Sequence, residues 1–283
     1  MKKIVGIIGY PIGHSISPAM HNAAYKNLGL DYEYVPFEVQ PEDLKEALQG
    51  LRALHIVGFN VTIPHKETIV PLLDEVTKLA TLIGAVNTVE NQEGRLVGYN
   101  TDGPGFIDSL IEDSNFEPKG KRAVVLGAGG ASRAVSIMLA ESGVASLTIT
   151  DLDEEKARAL VESVNSNFKV KCSFVSLPGP DLQKSVDRAD LLVNASPVGM
   201  HPKIEASPLP KKFKLNDHLL VYDLVYNPAE TKLLQTAKAA GAKTRSGLGM
   251  LVRQGALAFT IFTAEEAPVE TMWEAGQHAL RLG

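Results

Sequence analysis

The chain has 283 residues, 28 Lys and Arg against 33 Asp and Glu, a formal charge of −5 and 45% hydrophobic residues. At about 100–200 residues per domain this length accommodates two domains, and the apolar content excludes a globally disordered chain. The slightly acidic balance excludes the clustered cations of a nucleic-acid surface, and the short run Lys211, Lys212 and Lys214 reads as a solvated loop. A single cysteine, Cys172, excludes a disulfide framework, and its alternating apolar surroundings predict a buried thiol. The seven histidines show no metal-ligand spacing, so no metal site is expected. No apolar run reaches the roughly 18 residues of a membrane span, and residues 1–10 are too short and interrupted for a signal peptide. The expectation is a soluble, cytoplasmic protein with no nucleic-acid or membrane partner.

Strand-like and helix-like segments alternate, which predicts an α/β protein with a mainly parallel sheet. Strands are expected at 4–8, 32–37 and 56–61, with helices at 18–28 and 42–51 between them. Residues 86–90 and 95–99 read as a hairpin joined by Asn91-Gln92-Glu93-Gly94. A polar joint at 113–121 precedes strand 122–126, helix 132–142 stopped by Gly143, strand 147–150 and helix 153–164. Strands at 170–175, 190–194 and 219–224 follow, then helix 230–240 stopped by Gly241, and helices 248–264 and 269–282 close the chain.

Strand 122–126 runs directly into Gly127-Ala128-Gly129-Gly130-Ala131-Ser132 at a helix start. Glycines there permit a tight turn and close approach of a pyrophosphate, which the helix N-terminus would stabilise. Ser132 replaces the usual third glycine or alanine and is expected to loosen the helix–strand approach slightly. Asp151 ends the next strand, 24 residues on (151 − 127). It has two readings: an acceptor for the adenosine ribose 2′-OH, favouring NAD over NADP, or a helix cap together with Asp153. The cations Lys156 and Arg158 nearby keep NADP open.

Polar groups also gather at strand ends in the first third. Gly13-His14-Ser15-Ile16-Ser17-Pro18 offers two hydroxyls beside a helix start; 59–66 offers Asn60, Thr62 and Lys66; 84–88 and 98–103 add Asn87, Asn100 and Asp102. Strand carboxyl ends are where α/β proteins bind ligands. Taken singly, each residue reads as scaffold: a capping serine, a surface lysine, a turn asparagine or aspartate. His14 and His65 read as structural, and no Ser-His-Asp arrangement is detectable.

In order and spacing, segments 13–18, 60–66, 84–88, 100–103, 127–131, 194–200 and 247–254 resemble the shikimate dehydrogenase family over nearly the whole chain. The resemblance implies a two-lobed fold. An N-terminal α/β substrate domain (1–102 with 247–283, the last helices returning to it) would join a Rossmann-type dinucleotide domain (103–246). It implies reversible NAD(P)H-dependent reduction of 3-dehydroshikimate to shikimate in chorismate and aromatic amino-acid biosynthesis, by a monomer or homodimer. Ser15 and Ser17 would then hold the substrate carboxylate. Thr62, Asn87 and Gln254 would bind ring hydroxyls or help orient the carboxylate, and Asn60 and Tyr226 would line the pocket. Lys66 and Asp102 would form the catalytic pair. Gly127, Ala128, Gly129, Gly130, Ala131 and Asp151 would bind the cofactor, with Gly247 and Met250 flanking the nicotinamide. NADP is the family default, carried by Asn-Arg-Thr or Asn-Arg-Ser, whereas this chain reads Asp151-Leu152-Asp153 and so favours NAD. The runner-up within enzymes is an NAD-dependent quinate/shikimate dehydrogenase. A non-catalytic nicotinamide-binding sensor is the reading outside them, and retention of both Lys66 and Asp102 argues against it.

Overall fold

A computed structural model describes residues 2–177 and 179–282. The chain forms two compact units, Met1–Gly105 with Leu251–Gly283, and Phe106–Met250. The division falls at 105 and 251, where the sequence suggested 102 and 247.

The first unit opens with β1 (Lys3–Gly9), α1 (Ser17–Asn27), β2 (Tyr32–Glu38), α2 (Leu44–Ala53) and β3 (Gly58–Val61). Then come β4 (Glu75–Val76), α3 (Lys78–Ile83), β5 (Thr88–Gln92), β6 (Arg95–Tyr99) and α4 (Asp102–Asp108), which carries the chain into the second unit. The second unit holds β7 (Arg122–Leu126), α5 (Gly130–Glu141), β8 (Ser146–Thr150), α6 (Glu154–Asn167), β9 (Lys171–Phe174) and α7 (Pro180–Asp187). It ends with β10 (Leu191–Asn194), β11 (Leu220–Asp223), α8 (Lys232–Ala239) and β12 (Lys243–Ser246). Helix α9 (Leu248–Thr263) begins there and continues into the first unit, which α10 (Val269–Leu282) completes. Among the described residues no helix is long and apolar enough to cross a membrane.

The first sheet runs β2-β1-β3-β5-β6-β4. Strand β5 is antiparallel to β3 and β6, while the other pairs are parallel. One reversed strand has a positional consequence. The ends of β1, β3 and β6 and the beginning of β5 all reach the same edge. Ile8, Phe59, Val86, Val89 and Leu96 are fully buried in the core of this unit, which Leu44, Leu48 and Leu51 of α2 complete. The β5–β6 connection is tighter than expected: Gln92 already pairs with Arg95. Only Glu93 and Gly94 turn, both at positive φ (54° and 95°), the backbone that twisted hairpins favour.

The second sheet is wholly parallel, in the order β12-β11-β10-β7-β8-β9. Its strand order reverses direction at β7, which leaves a crevice beyond the carboxyl ends of β7 and β10. Strands β10 and β11 are buried along their whole length, as parallel strands covered on both faces must be. Cys172 is buried in β9, and burial pushes its thiol up to about 12.

The short elements α3, β4, α7 and β12, and the helix α4, lack a sequence signal. Gly103-Pro104-Gly105 reads as a breaker, yet Pro104 sits in the first turn of α4, where its missing N–H costs nothing. Gly105 answers to packing instead, because a Cβ there would lie 2.5 Å from the backbone nitrogen of Gln254.

His21 is completely buried in the first unit, stacked on Tyr34 with ring centroids 4.3 Å apart. Neither ring nitrogen has a hydrogen-bond partner among the described residues, and burial pulls its pKa down to about 3. The unfolded chain therefore takes up this proton first, so stability present above about pH 6.5 is lost as pH falls toward 3. The contribution at stake by pH 4 is on the order of 3 kcal/mol. His21→Phe should flatten the acid side of stability against pH, read as urea midpoints between pH 7 and pH 4.

Candidate active site

The shared edge of the first sheet collects its polar groups by strand direction. After β1, the loop to α1 presents Ser15, whose Oγ accepts the backbone N–H of Ser17 at 3.3 Å. One serine thus has the local turn-closing role open to any serine before a helix. Ser17, the first residue of α1, is buried and its hydroxyl faces the Tyr34 phenol. After β3, a tight turn closes with His65 N–H donating to the Thr62 carbonyl, and the His65 ring bonds the Val39 carbonyl at 2.8 Å. His65 is structural, as its sequence context indicated. Thr62 is half-buried beside it.

Lys66 ends this turn. Its carbonyl accepts the Val86 N–H at 2.8 Å, and its Nζ lies 2.6 Å from Asp102 Oδ2. Asp102 opens α4 and is buried, whereas the lysine side chain keeps 19% of its surface exposed. The other carboxylate oxygen, Oδ1, accepts from Asn87 Nδ2 at 2.8 Å. Asn100 steadies the turn that delivers Asp102, accepting from the Gly103 N–H and donating to the Ala85 carbonyl.

Asn87 connects the group. Its Nδ2 also addresses Thr101 Oγ1 (2.9 Å) and Gln254 Oε1 (3.2 Å), and its Oδ1 accepts the Thr101 N–H. Gln254 reaches in from α9 and donates to the Leu251 carbonyl. Asn60, in β3, accepts from the Tyr34 hydroxyl at 2.7 Å and donates to the Asn87 carbonyl and Thr88 Oγ1. Both ends of its carboxamide are engaged inside the protein. Lys66, Asp102, Asn60, Asn87 and Gln254 therefore form one bonded network. Tyr34, Thr88 and Thr101 belong to it without having been singled out by sequence. A tyrosine in an alternating strand reads as core, and each threonine is hidden beside a more conspicuous neighbour. Chemically, a buried carboxylate holding a partly exposed ammonium, with hydroxyls and amides around it, suits proton transfer on a small polar molecule.

Tyr226, Gly247 and Met250 lie in the second unit, with the glycine loop. Gly127 has φ +114°, and a Cβ there would lie 3.0 Å from the backbone of Ala195, so the loops after β7 and β10 pack on each other. Gly129 precedes α5 with open space where a Cβ would stand, and that helix start has no side-chain cap among the described residues. Uncapped N–H groups beside open space fit a phosphate. Ser132 does not loosen the turn as expected. Fully buried, it donates its hydroxyl to the Gly127 carbonyl and fastens the loop.

Asp151 also departs from the capping alternative. The cap of α6 belongs to Asp153, which accepts the Lys156 N–H at 3.1 Å. Asp151 instead accepts the Ala128 N–H at 2.6 Å and the Asp153 N–H at 2.9 Å, pinning the glycine loop to the end of β8. Lys156 pairs with Asp153 and Arg158 with Glu154, the guanidinium also lying over the Phe174 ring. Leu152 is 78% exposed.

Asp223 ties together the loops that follow β10 and β11. It accepts from Thr231 Oγ1 (2.6 Å), Asn194 Nδ2 (2.8 Å) and the Val225 N–H (3.0 Å). Burial nevertheless pushes its carboxyl up to about 6. Tyr226 follows in the second of these loops, its phenol pKa raised by burial. A Cβ on Gly247 would meet the Leu224 carbonyl oxygen at 1.9 Å. Met250 donates its N–H to the phenol oxygen of Tyr222, itself 2.7 Å from Ser109 Oγ.

Two family descriptions match this chain: the shikimate dehydrogenase substrate binding domain over residues 7–89, and the shikimate 5'-dehydrogenase C-terminal domain over 247–275. The shikimate dehydrogenase (NADP(+)) of Methanopyrus kandleri is 50% identical across 98% of this chain and 96% of its own. The chain belongs to the shikimate dehydrogenase family. A crystal structure of a shikimate dehydrogenase in complex with NADP+ superposes with TM-score 0.91 at 46% identity, covering 98% of this chain and 95% of that one. The Listeria monocytogenes shikimate 5-dehydrogenase, in complex with shikimate and NAD, gives TM-score 0.89 at 39% identity, with 96% of both chains covered. The first family match covers Tyr34, Asn60, Lys66, Asn87 and Thr88 of the network and the second covers Gln254, whereas Thr101 and Asp102 lie between the two.

The Gly247 contact generates a prediction. Backbone carbonyl, unlike a flexible side chain, cannot step aside for a methyl group. Gly247→Ala should cost about 1–3 kcal/mol of stability through overpacking. It should also displace the Val225 segment, whose carbonyl accepts the Gly247 N–H at 3.2 Å, and lower the thermal shift that a dinucleotide produces. Thermal unfolding with and without NAD or NADP checks both.

Proposed function

We propose that this protein is a shikimate dehydrogenase, an NAD(P)-dependent oxidoreductase that interconverts 3-dehydroshikimate and shikimate in aromatic amino-acid biosynthesis. The observation that carries the reading is the Lys66 ammonium held 2.6 Å from a buried Asp102, within a chain half identical to a curated shikimate dehydrogenase. The nicotinamide cofactor, when bound, supplies or accepts the hydride.

The chain's own residues handle the proton and the orientation. As a ketone carbon is reduced, its oxygen gains negative charge, and Lys66 donates a proton to it. In the oxidative direction the lysine removes that proton. Asp102 aims the ammonium through Oδ2, while Asn87 fixes the carboxylate through its second oxygen. Ser15 and Ser17 hold the substrate carboxylate, and Thr62 and Gln254 address ring hydroxyls. In the second unit Gly129, Gly130 and Ala131 receive the pyrophosphate, with Gly247 and Met250 at the nicotinamide.

Parent enzyme should reduce NAD or NADP with shikimate, followed by absorbance at 340 nm. Lys66→Ala should lower kcat by about 10²–10⁴-fold while KM for shikimate changes only a few-fold, as loss of a general acid–base group requires.

A second reading concerns the cofactor: NAD is preferred. Its support is the Asp151 carboxylate fixed against the glycine loop, with Leu152 exposed beside it and Lys156 and Arg158 both paired. A 2′-phosphate brought there meets like charge, worth about 4 kcal/mol for two unit charges 4 Å apart at an effective dielectric of 20. Leu152→Arg supplies the missing bidentate partner. It should raise kcat/KM for NADP about tenfold or more and leave the NAD value within about twofold, a shift of about 1.4 kcal/mol or more.

A further inference from the structure

The hydrogen bonds of the first unit form a chain with one direction. Asn60 Nδ2 donates to the Asn87 backbone carbonyl, which can only accept, so Asn60 Oδ1 must face Tyr34 and the phenol must donate. From there each donor points onward. Asn60 Nδ2 donates to Thr88 Oγ1 at 3.0 Å, and the Thr88 hydroxyl to Asn87 Oδ1 at 3.2 Å. Asn87 Nδ2 then donates to Asp102 Oδ1 at 2.8 Å, while Lys66 Nζ meets the other oxygen. The Thr101 N–H fixes the second amide as the Asn87 carbonyl fixes the first. Tyr34 stands at the start, buried to 1% exposure, stacked on His21 and flanked by Ser17 and Tyr25.

We propose that Tyr34 is a positioning residue for catalysis, its hydroxyl setting the orientation of Asn60 and, through Thr88 and Asn87, the seat of the Asp102 carboxylate beneath Lys66. The catalytic part rests on the dehydrogenase reading above; the chain itself does not. Without the phenol hydroxyl, Asn60 Oδ1 loses its donor in a site closed to water, and a buried carboxamide lacking one partner turns to find another. Both of its other bonds then go out of line. Hydrogen bonds that share donors and acceptors in series strengthen one another, so the loss is felt at the far end. Ser17 faces the same phenol, so one side chain adjoins both the start of α1 and β3.

Tyr34→Phe keeps the ring and its stacking on His21 and removes only the hydroxyl. In the ligand-free protein, hydrogen exchange of the Asn60 and Asn87 carboxamide protons, followed by nitrogen-15 NMR, should accelerate about tenfold or more. Turnover with shikimate should fall about tenfold, with KM for shikimate and for the cofactor within about twofold, because aim rather than binding is lost. Thr88→Ala interrupts the same chain and should give the same pattern, and the double variant should be no slower than the slower single variant. An unchanged exchange rate at Asn87 overturns the proposal, as does a double variant that multiplies the two losses. If Tyr34→Phe fails to fold, normal turnover in Thr88→Ala overturns it. A parent enzyme inactive on shikimate would defeat the functional reading alone, and the exchange experiment would still decide the chain.

Discussion

A carboxylate can be taken out of water only if each oxygen finds a donor. Asp102 meets this demand with an ammonium on one oxygen and a carboxamide on the other. Those two donors come from segments far apart in sequence, the turn after β3 and the start of β5. They meet because β5 runs against its neighbours and so begins where β3 and β6 end. Had β5 run parallel, Asn87 would lie at the opposite edge and Asp102 would be half satisfied. The reversed strand and the buried charge therefore require each other, and Asn60, Thr88 and Thr101 fill the remaining polar valences between them.

The second unit solves a different problem with a different device. Its parallel strands all end at one edge, and what must be accommodated there is close approach of backbone to backbone. Gly127 and Gly247 provide it, each at a position where a methyl group would press on a neighbouring main chain. Side-chain ties then hold the loops at those glycines: Ser132 and Asp151 on the first, and Asp223 across the loops after β10 and β11. Asp151 serves the scaffold by taking two backbone N–H groups at once, one from the glycine loop and one from the start of the segment that leads into α6.

Much of this was legible in the sequence wherever a pattern was long or a motif dense. The strands now seen as β1, β2, β7 and β10 carry uninterrupted apolar or alternating runs. The helices α5, α6, α8, α9 and α10 carry periodicity, with glycine stops after α5 and α8. Lys66, Asp102, Asn60 and Asn87 stood out because polar residues clustered at strand ends, and the structure joins them in one network. What escaped had an ambiguous local signal. Helix α4 is masked by two glycines and a proline, and β12, with the polar sequence Lys-Thr-Arg-Ser, forms only because an edge position of the sheet is open to it. Tyr34 looks like any aromatic core residue until its hydroxyl is seen against Asn60. The tie between Asp151 and Ala128 was likewise invisible, because nothing in a sequence tells which backbone N–H a carboxylate will take.

The chain has a single tryptophan, Trp273, and it lies in α10 within the first unit. The emission of that indole is consequently a local probe. It registers the surroundings of α10 and is silent about the parallel sheet, which carries no such fluorophore. Backbone circular dichroism, by contrast, sums over both units. A denaturation experiment recorded in the two signals at once thus separates the units optically, without any label. Coincident curves would indicate that they melt together, and displaced ones would rank their stabilities.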